Sequence, residues 1–173
     1  MIARRTAWLT VAAMFALAWS SACARDNATP AVTKEFELGA HRVQVIVPTG
    51  WDALDQGKQK RFRKGEFEIV LQNLGPPAPA PRNPDELADW GLTEVGHDQR
   101  REVKSRRAVT LDGREAIDIE TWNRLDHTNP QRIFLVRAEG DLLALHTVGM
   151  AFEDSLAAFA AIRDSLHFVS ARR

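Results

Sequence analysis

The sequence predicts an α+β domain: an antiparallel β-sheet meander flanked by two main helices. Three observations lead there. From Arg106 to Gly149 the chain reads as four consecutive strands, divided by Asp112-Gly113, by the turn formers within Leu125–Pro130 and by Glu139-Gly140-Asp141. Two other stretches, opening at Asn83 and at Phe152, carry helix-start chemistry or helical spacing. A length of 173 residues suits one domain with a short appendage, and 45% apolar residues suffice for an ordinary core.

The elements follow in order. Residues 1 to 22 have the zones of a secretory signal: basic Arg4-Arg5, an apolar run from Ala7 to Trp19, and small Ser20-Ser21-Ala22. The run is too short to span a bilayer, which takes ~20 residues. Residues 23–33 read as a polar, mobile tether. Lys34–Leu38 and Arg42–Val47 form a hairpin across Gly39-Ala40-His41, with Val43, Val45 and Val47 on one face. Pro48-Thr49-Gly50 ends the second strand and presents Trp51. Lys60–Arg63 and Glu66–Gln72 pair around Lys64-Gly65.

The proline-rich LGPPAPAPRNP is an extended connector. Asn83 caps the first helix, Pro84 takes its first position and Glu86 reaches back, while Gly96 stops it. Leu87, Trp90 and Val95 share its inner side. In the meander, Asp-Gly supplies the φ > 0 that a type I′ turn needs. Ala116, Asp118, Glu120 and Trp122 share one face, and Ile117, Ile119 and Thr121 the other; one face is expected to be packed and the other partly wet. The second helix, Phe152 to Leu166, lays Phe152, Leu156, Phe159 and Leu166 on one stripe. The folded domain is set at 34–169, with a 170–173 tail.

The one cysteine of the chain, Cys23, follows Ser-Ser-Ala directly. This resembles the lipobox of bacterial lipoproteins, which implies acylation of Cys23 by lipid chains such as palmitate, cleavage before it, and, with Ala24 next, an outer-membrane anchor facing the periplasm. A plain soluble signal cut after Ala22 or Ala24 is the alternative. The order of pieces, with VPTGW, then the Leu111, Gly113 and Ala116 pattern, then Phe159 and SLHF, resembles the PsbP-like superfamily over about Phe36 to Phe168. The resemblance implies an αβα sandwich of the kind found in DcrB- and LpqN-type envelope lipoproteins, and no catalytic residue transfers from it.

Composition and motifs exclude more than they assign. Net charge is zero over the whole chain, and −2 once Arg4 and Arg5 leave with the first 22 residues, which removes the electrostatic case for nucleic acid. The five histidines, His41, His97, His127, His146 and His167, form no HxH or HExxH pattern, so no metal and no cofactor are expected. Asp118 and Glu120 read as an exposed polar sheet face rather than a carboxylate pair for acid-base work. The basic runs at Lys58–Lys64 and Arg100–Arg107 read as wet faces or edge guards, with anionic headgroups or an acidic partner as the functional alternative.

Candidate partner-binding residues are Trp122, Arg124 and His127 around one loop, together with Arg106 and Arg107 of the second basic run; for Trp122, core packing is the alternative. The expected function is a noncatalytic, membrane-anchored envelope module that binds an unknown envelope protein. Two alternatives stand. A carrier or sensor of a small apolar ligand requires a pocket of roughly 300 Å³ or more lined by Trp and Phe, and an enzyme requires distant His and acid side chains to converge.

Overall fold

A tight turn at Gly39-Ala40 opens the structure. β1 (Val32–Leu38) and β2 (His41–Val47) pair antiparallel from Val32↔Val47 to Leu38↔His41, closed by Gly39-Ala40. Val43, Val45 and Val47 are all buried, as their alternation predicts. In this computed structural model residues 30–96, 101–149 and 152–169 are described. The leader, Cys23, His97, Arg100 and the 170–173 tail lie outside them. Among the described residues the sheet begins at Val32, so the last two residues assigned to the tether belong to a strand.

β3 (Asp52–Gln56) was not expected from the sequence. Its DALDQ has almost no apolar alternation because it is an exposed edge, held by pairing to β4 (Gln59–Lys64). β5 (Phe67–Gly75) follows across Gly65-Glu66. α1 (Pro84–Glu94) starts as its capping chemistry dictates: the Asn83 side chain accepts from the Glu86 N–H at 2.9 Å, and Pro84 stands at the first position. The Glu86 carboxylate reaches one residue further back than a capping box requires, accepting from the Arg82 N–H at 2.8 Å. Leu87, Ala88, Gly91 and Leu92 form the buried stripe of α1, with Trp90 and Val95 half-buried beside it.

The meander is β6 (Arg101–Leu111), β7 (Arg114–Asn123), β8 (Gln131–Ala138) and β9 (Asp141–Val148). β6 starts five residues earlier than the sequence predicts and carries a bulge at Lys104. Asp112 and Gly113 have φ of 49° and 73°, as a type I′ hairpin requires, and Glu139-Gly140 repeats the arrangement at 48° and 102°. Gly113→Val is expected to cost about 1–2 kcal/mol, because a β-branched residue resists the left-handed region. Chemical denaturation of the variant checks this, and an unchanged midpoint would contradict it.

α2 (Glu153–Ser165) has Phe152 at its N-cap rather than in its stripe. The Ser155 hydroxyl accepts from the Phe152 N–H at 2.9 Å, the reciprocal half of a capping box, while the phenylalanine side chain has no acceptor to offer the first-turn N–H groups. The buried stripe is therefore Ser155, Ala158, Phe159 and Ile162, running on to Leu166, and the expected Phe152–Leu156 edge is rotated outward. The closing SLHF is not only a helix end: β10 (His167–Phe168) pairs with β2.

The strands form two sheets, ordered β1-β2-β10 and β3-β4-β5-β9-β8-β7-β6. Ile117, Ile119, Ile133, Leu135, Leu142 and Ala144 of the large sheet pack with α1. The alternate residues Ala116, Phe134, Val136, Leu143 and Leu145 pack with α2 and the small sheet. Both faces of β7 to β9 are covered, which corrects the expectation of one wet face. The architecture is α+β, mostly antiparallel, with two helices. Among the described residues no helix is long and apolar enough to cross a membrane.

Candidate functional site

The loop joining β7 to β8 is the most developed surface feature among the described residues. Asn123 and Asp126 build it from within: Asn123 Oδ1 accepts from the Leu125 N–H at 2.9 Å, and Asp126 Oδ1 accepts from the N–H and hydroxyl of Thr128 at 3.0 and 2.8 Å. Those hydrogen bonds, the hydroxyl's first, hold the Asp126 carboxyl below its ordinary pKa. Backbone bonds from His127 N to Asn123 O and from Asn123 N to Thr128 O, both 2.9 Å, close the loop base. His127 and Asn129 take positive φ of 54° and 57° to complete the bend.

Trp122 supports this loop. Its ring stacks on His127 with centroids 4.5 Å apart and planes at 7°, and Lys104 Nζ lies 5.0 Å from the ring centre. Trp122 is half-buried and belongs to neither core cluster. It is thus a platform rather than a free recognition surface, and the loop exposes Arg124 to Thr128. Leu125 is 89% exposed. Its signal in the sequence is one apolar residue set between Arg124 and Asp126 inside a turn.

The five expected partner residues do not form one patch. Arg106 aligns with Ile119 on the α1 side and pairs with Asp89 and Asp85 of α1. Arg107 aligns with Asp118 on the opposite side. Trp122 shares the face of Arg107 but lies four residues along the neighbouring strand from Asp118, about 13 Å at the usual strand rise. Arg124 meets Arg106 at a groove of about 330 Å³ between α1 and β6, lined also by Leu92, Val103 and Glu102.

Asp118 is not on a wet face. It is 5% exposed, and its Oδ2 accepts from Arg163 of α2 at 2.8 Å and from Arg107 at 3.1 Å. Glu120 pairs with Lys104 at 2.9 Å and Arg132 at 3.1 Å. The basic run of β4 is likewise engaged within the fold. Lys60, buried, reaches Asp55 at 2.5 Å and Gly57 O at 2.7 Å, Arg61 and Arg63 pair with Glu68, and Lys64 pairs with Asp154. Ion pairs with a structural reason thus account for these charges without an anionic ligand.

The histidines separate by role. His41 Nε2 donates to Asp141 Oδ2 at 3.1 Å, and Asn73 Nδ2 donates to the same oxygen at 2.8 Å and to Leu38 O at 3.2 Å. This cluster ties the β1–β2 turn to the β8–β9 turn and so fixes one sheet on the other. His167 is exposed at the start of β10. His146, in β9 on the α1 side, lies 3.4 Å from Gln72 Nε2, and burial pushes its pKa down to about 4. Among the described residues no three His, Cys, Asp or Glu side chains are grouped to hold a metal ion.

A pH dependence follows from His146. Above pH 6.5 the imidazole is neutral in both folded and unfolded chains, so it leaves stability unchanged. As pH falls the unfolded chain takes a proton that the folded one refuses, and stability drops down to the folded value near 4. The loss at pH 5 is about 2 kcal/mol. Urea unfolding of His146→Gln should lose less stability than the wild type between pH 7 and pH 5; identical losses would show that His146 is not the group responsible.

No family model matches the chain, and no curated protein does. The solution structure of cyanobacterial PsbP (CyanoP) from Synechocystis is similar to it, with a TM-score of 0.56, 16% identity, and coverage of 81% of this chain and 94% of that one. A crystal structure of a Pseudomonas aeruginosa protein of unknown function, described as a putative regulator, aligns with a TM-score of 0.44 and 13% identity over 72% of this chain and 86% of that one. The likeness to CyanoP gives a PsbP-like fold. At this identity the likeness concerns the fold alone.

Proposed function

We propose that the protein is a noncatalytic envelope lipoprotein, anchored through acylated Cys23 at the outer membrane and facing the periplasm, which binds a protein partner or assists assembly. The observation that carries this reading is the internally braced β7–β8 loop. Its internal hydrogen bonds and the Trp122–His127 stack order the loop that presents Arg124 to the α1–β6 groove, and an ordered loop binds at less entropic cost than a mobile one. The carrier reading is less favoured. Among the described residues, the grooves of about 330 and 300 Å³ are lined mostly by charged and polar side chains, with Phe134 in the second; the one of about 200 Å³ mixes Val95, Ile133 and Val148 with Gln131, His146 and Thr147, and no Trp lines any of the three.

Within this reading the DcrB- and LpqN-type lipoproteins are the branch of the PsbP-like group that the chain fits. We also read α1 on one face of the large sheet, with α2 and the small sheet on the other, as an αβα sandwich carrying an added sheet.

The test is membrane fractionation and intact mass of the wild type beside Cys23→Ala in a Gram-negative host, followed by in-cell crosslinking of Arg124→Ala and His127→Ala. Lipid mass and sedimentation lost with Cys23, together with one discrete adduct weakened by the loop variants, is the expected result. An unacylated, soluble wild type removes the anchor. Adducts indifferent to both loop variants remove the loop.

A further inference from the structure

Among the described residues five large apolar side chains are exposed; two are Ile46 on β2 and Leu54 on β3, and the other three lie at one end of the large sheet, Leu125 at 89%, Phe152 at 46% and Val148 at 39%. Their position follows from register. Val148 is the last residue of β9, and Glu68 pairs with it at the start of β5. Gln131, the first residue of β8, bonds Gly149 O at 3.1 Å, which brings the β7–β8 loop and Leu125 to the same end. Phe152 caps α2 there, its ring 5.4 Å from that of Phe67, the residue that opens β5.

The chain also enters the described structure at this end. The β1–β2 turn is held at the other end, where His41 and Leu38 meet Asp141 and Asn73 beside the β8–β9 turn. Val32 is at the open end of that hairpin, and nearby Lys34 reaches Ala53 O at 3.4 Å, one residue from the start of β3. Eight residues lie between Cys23 and Val32, nine Cα steps with a reach of at most about 30 Å when fully extended.

We propose that the end of the domain carrying Leu125, Val148 and Phe152 rests on the lipid surface to which Cys23 is anchored. This rests on the acylated-Cys23 reading above. A tether this short, leaving from this end, holds these side chains near the bilayer boundary, where apolar groups gain by leaving water. Charges around the end are mixed, with exposed Lys64 and Arg124 set against Glu66, Asp126 and Asp154. The contact is accordingly apolar and indifferent to anionic lipid.

The acylated full chain has its single native thiol blocked, so one introduced cysteine can carry an environment-sensitive fluorophore. Leu125→Cys is compared with Ala40→Cys, an exposed turn position at the far end, on protein-free phosphatidylcholine vesicles with and without anionic lipid. The expected result is a blue shift and about a twofold or greater emission rise at position 125. Bromolipid should quench that emission, position 40 should not change, and anionic lipid should make no difference. Protein that floats with the vesicles while position 125 stays in water overturns the orientation and leaves the anchor standing. Protein that carries no lipid mass and does not float overturns both. A probe that is shielded only when a second protein is added assigns this end to that protein and overturns the lipid contact.

Discussion

Gly91→Val is expected to destabilise the domain by about 3 kcal/mol or more, lowering its melting temperature by roughly 10 °C. A Cβ at Gly91 would stand 2.4 Å from Leu135 Cδ1 and 3.0 Å from Cδ2. Leu135 is fully buried among Leu87, Ile117, Leu142 and Ala144, so it cannot swing aside into solvent. Either α1 lifts from the sheet or Leu135 leaves its rotamer. Gly91→Ala regains about 1 kcal/mol of helix propensity and should fall between the wild type and the valine variant. Thermal unfolding of Gly91→Val together with Leu135→Ala is the decisive comparison. A smaller loss than the sum of the two singles locates the effect at this contact, whereas strict additivity would place it elsewhere.

Arg163→Met is expected to cost about 3 kcal/mol. The pair Asp118–Arg163 is enclosed on the α2 side of the sheet, and removing one member of an enclosed pair leaves a charge without adequate compensation. Arg107 also reaches Asp118, but its side chain is 71% exposed and its grip on the carboxylate is correspondingly loose. The second carboxylate oxygen of Asp118 has no hydrogen-bond partner in the fold, so little else compensates the charge. Asp118→Leu in the Arg163→Met background should recover part of the loss, since an apolar pair replaces a broken ionic one. If the double variant is no more stable than Arg163→Met, the charge left on Asp118 is not what destabilises it.

What the sequence revealed was mostly local. Asp112-Gly113, Glu139-Gly140 and Asn83-Pro84-Asp85-Glu86 each satisfy their own backbone within a few residues, and each is found where its chemistry puts it. β3 and β10 escaped because neither carries its own pattern; pairing with β4 and β2 makes them strands. The division into two sheets was hidden for the same reason, since contacts such as His41 with Asp141 join residues remote in sequence.

The candidate site was only partly legible. Trp122, Arg124 and His127 do meet around one loop. Arg106 and Arg107, adjacent in sequence, face opposite sides because successive strand residues alternate. Asp118 looked exposed because the helix that brings Arg163 over it begins more than thirty residues later in the chain.

One pairing sets how the sheet comes together. Within the large sheet, β3-β4-β5 and β6-β7-β8-β9 are each chains of hairpins, and only β5 with β9 joins strands distant in sequence, Gly75 meeting Leu142 across everything between. Each meander can zip up from its own tight turns on the microsecond scale of hairpin formation. The seam between them must wait for a long loop to close, at an entropic cost that neither half can defray alone. Within the large sheet the β5–β9 seam is therefore expected to close after the tight turns of the two meanders, while β10 with β2, pairing His167 with Gln44, closes a longer loop still.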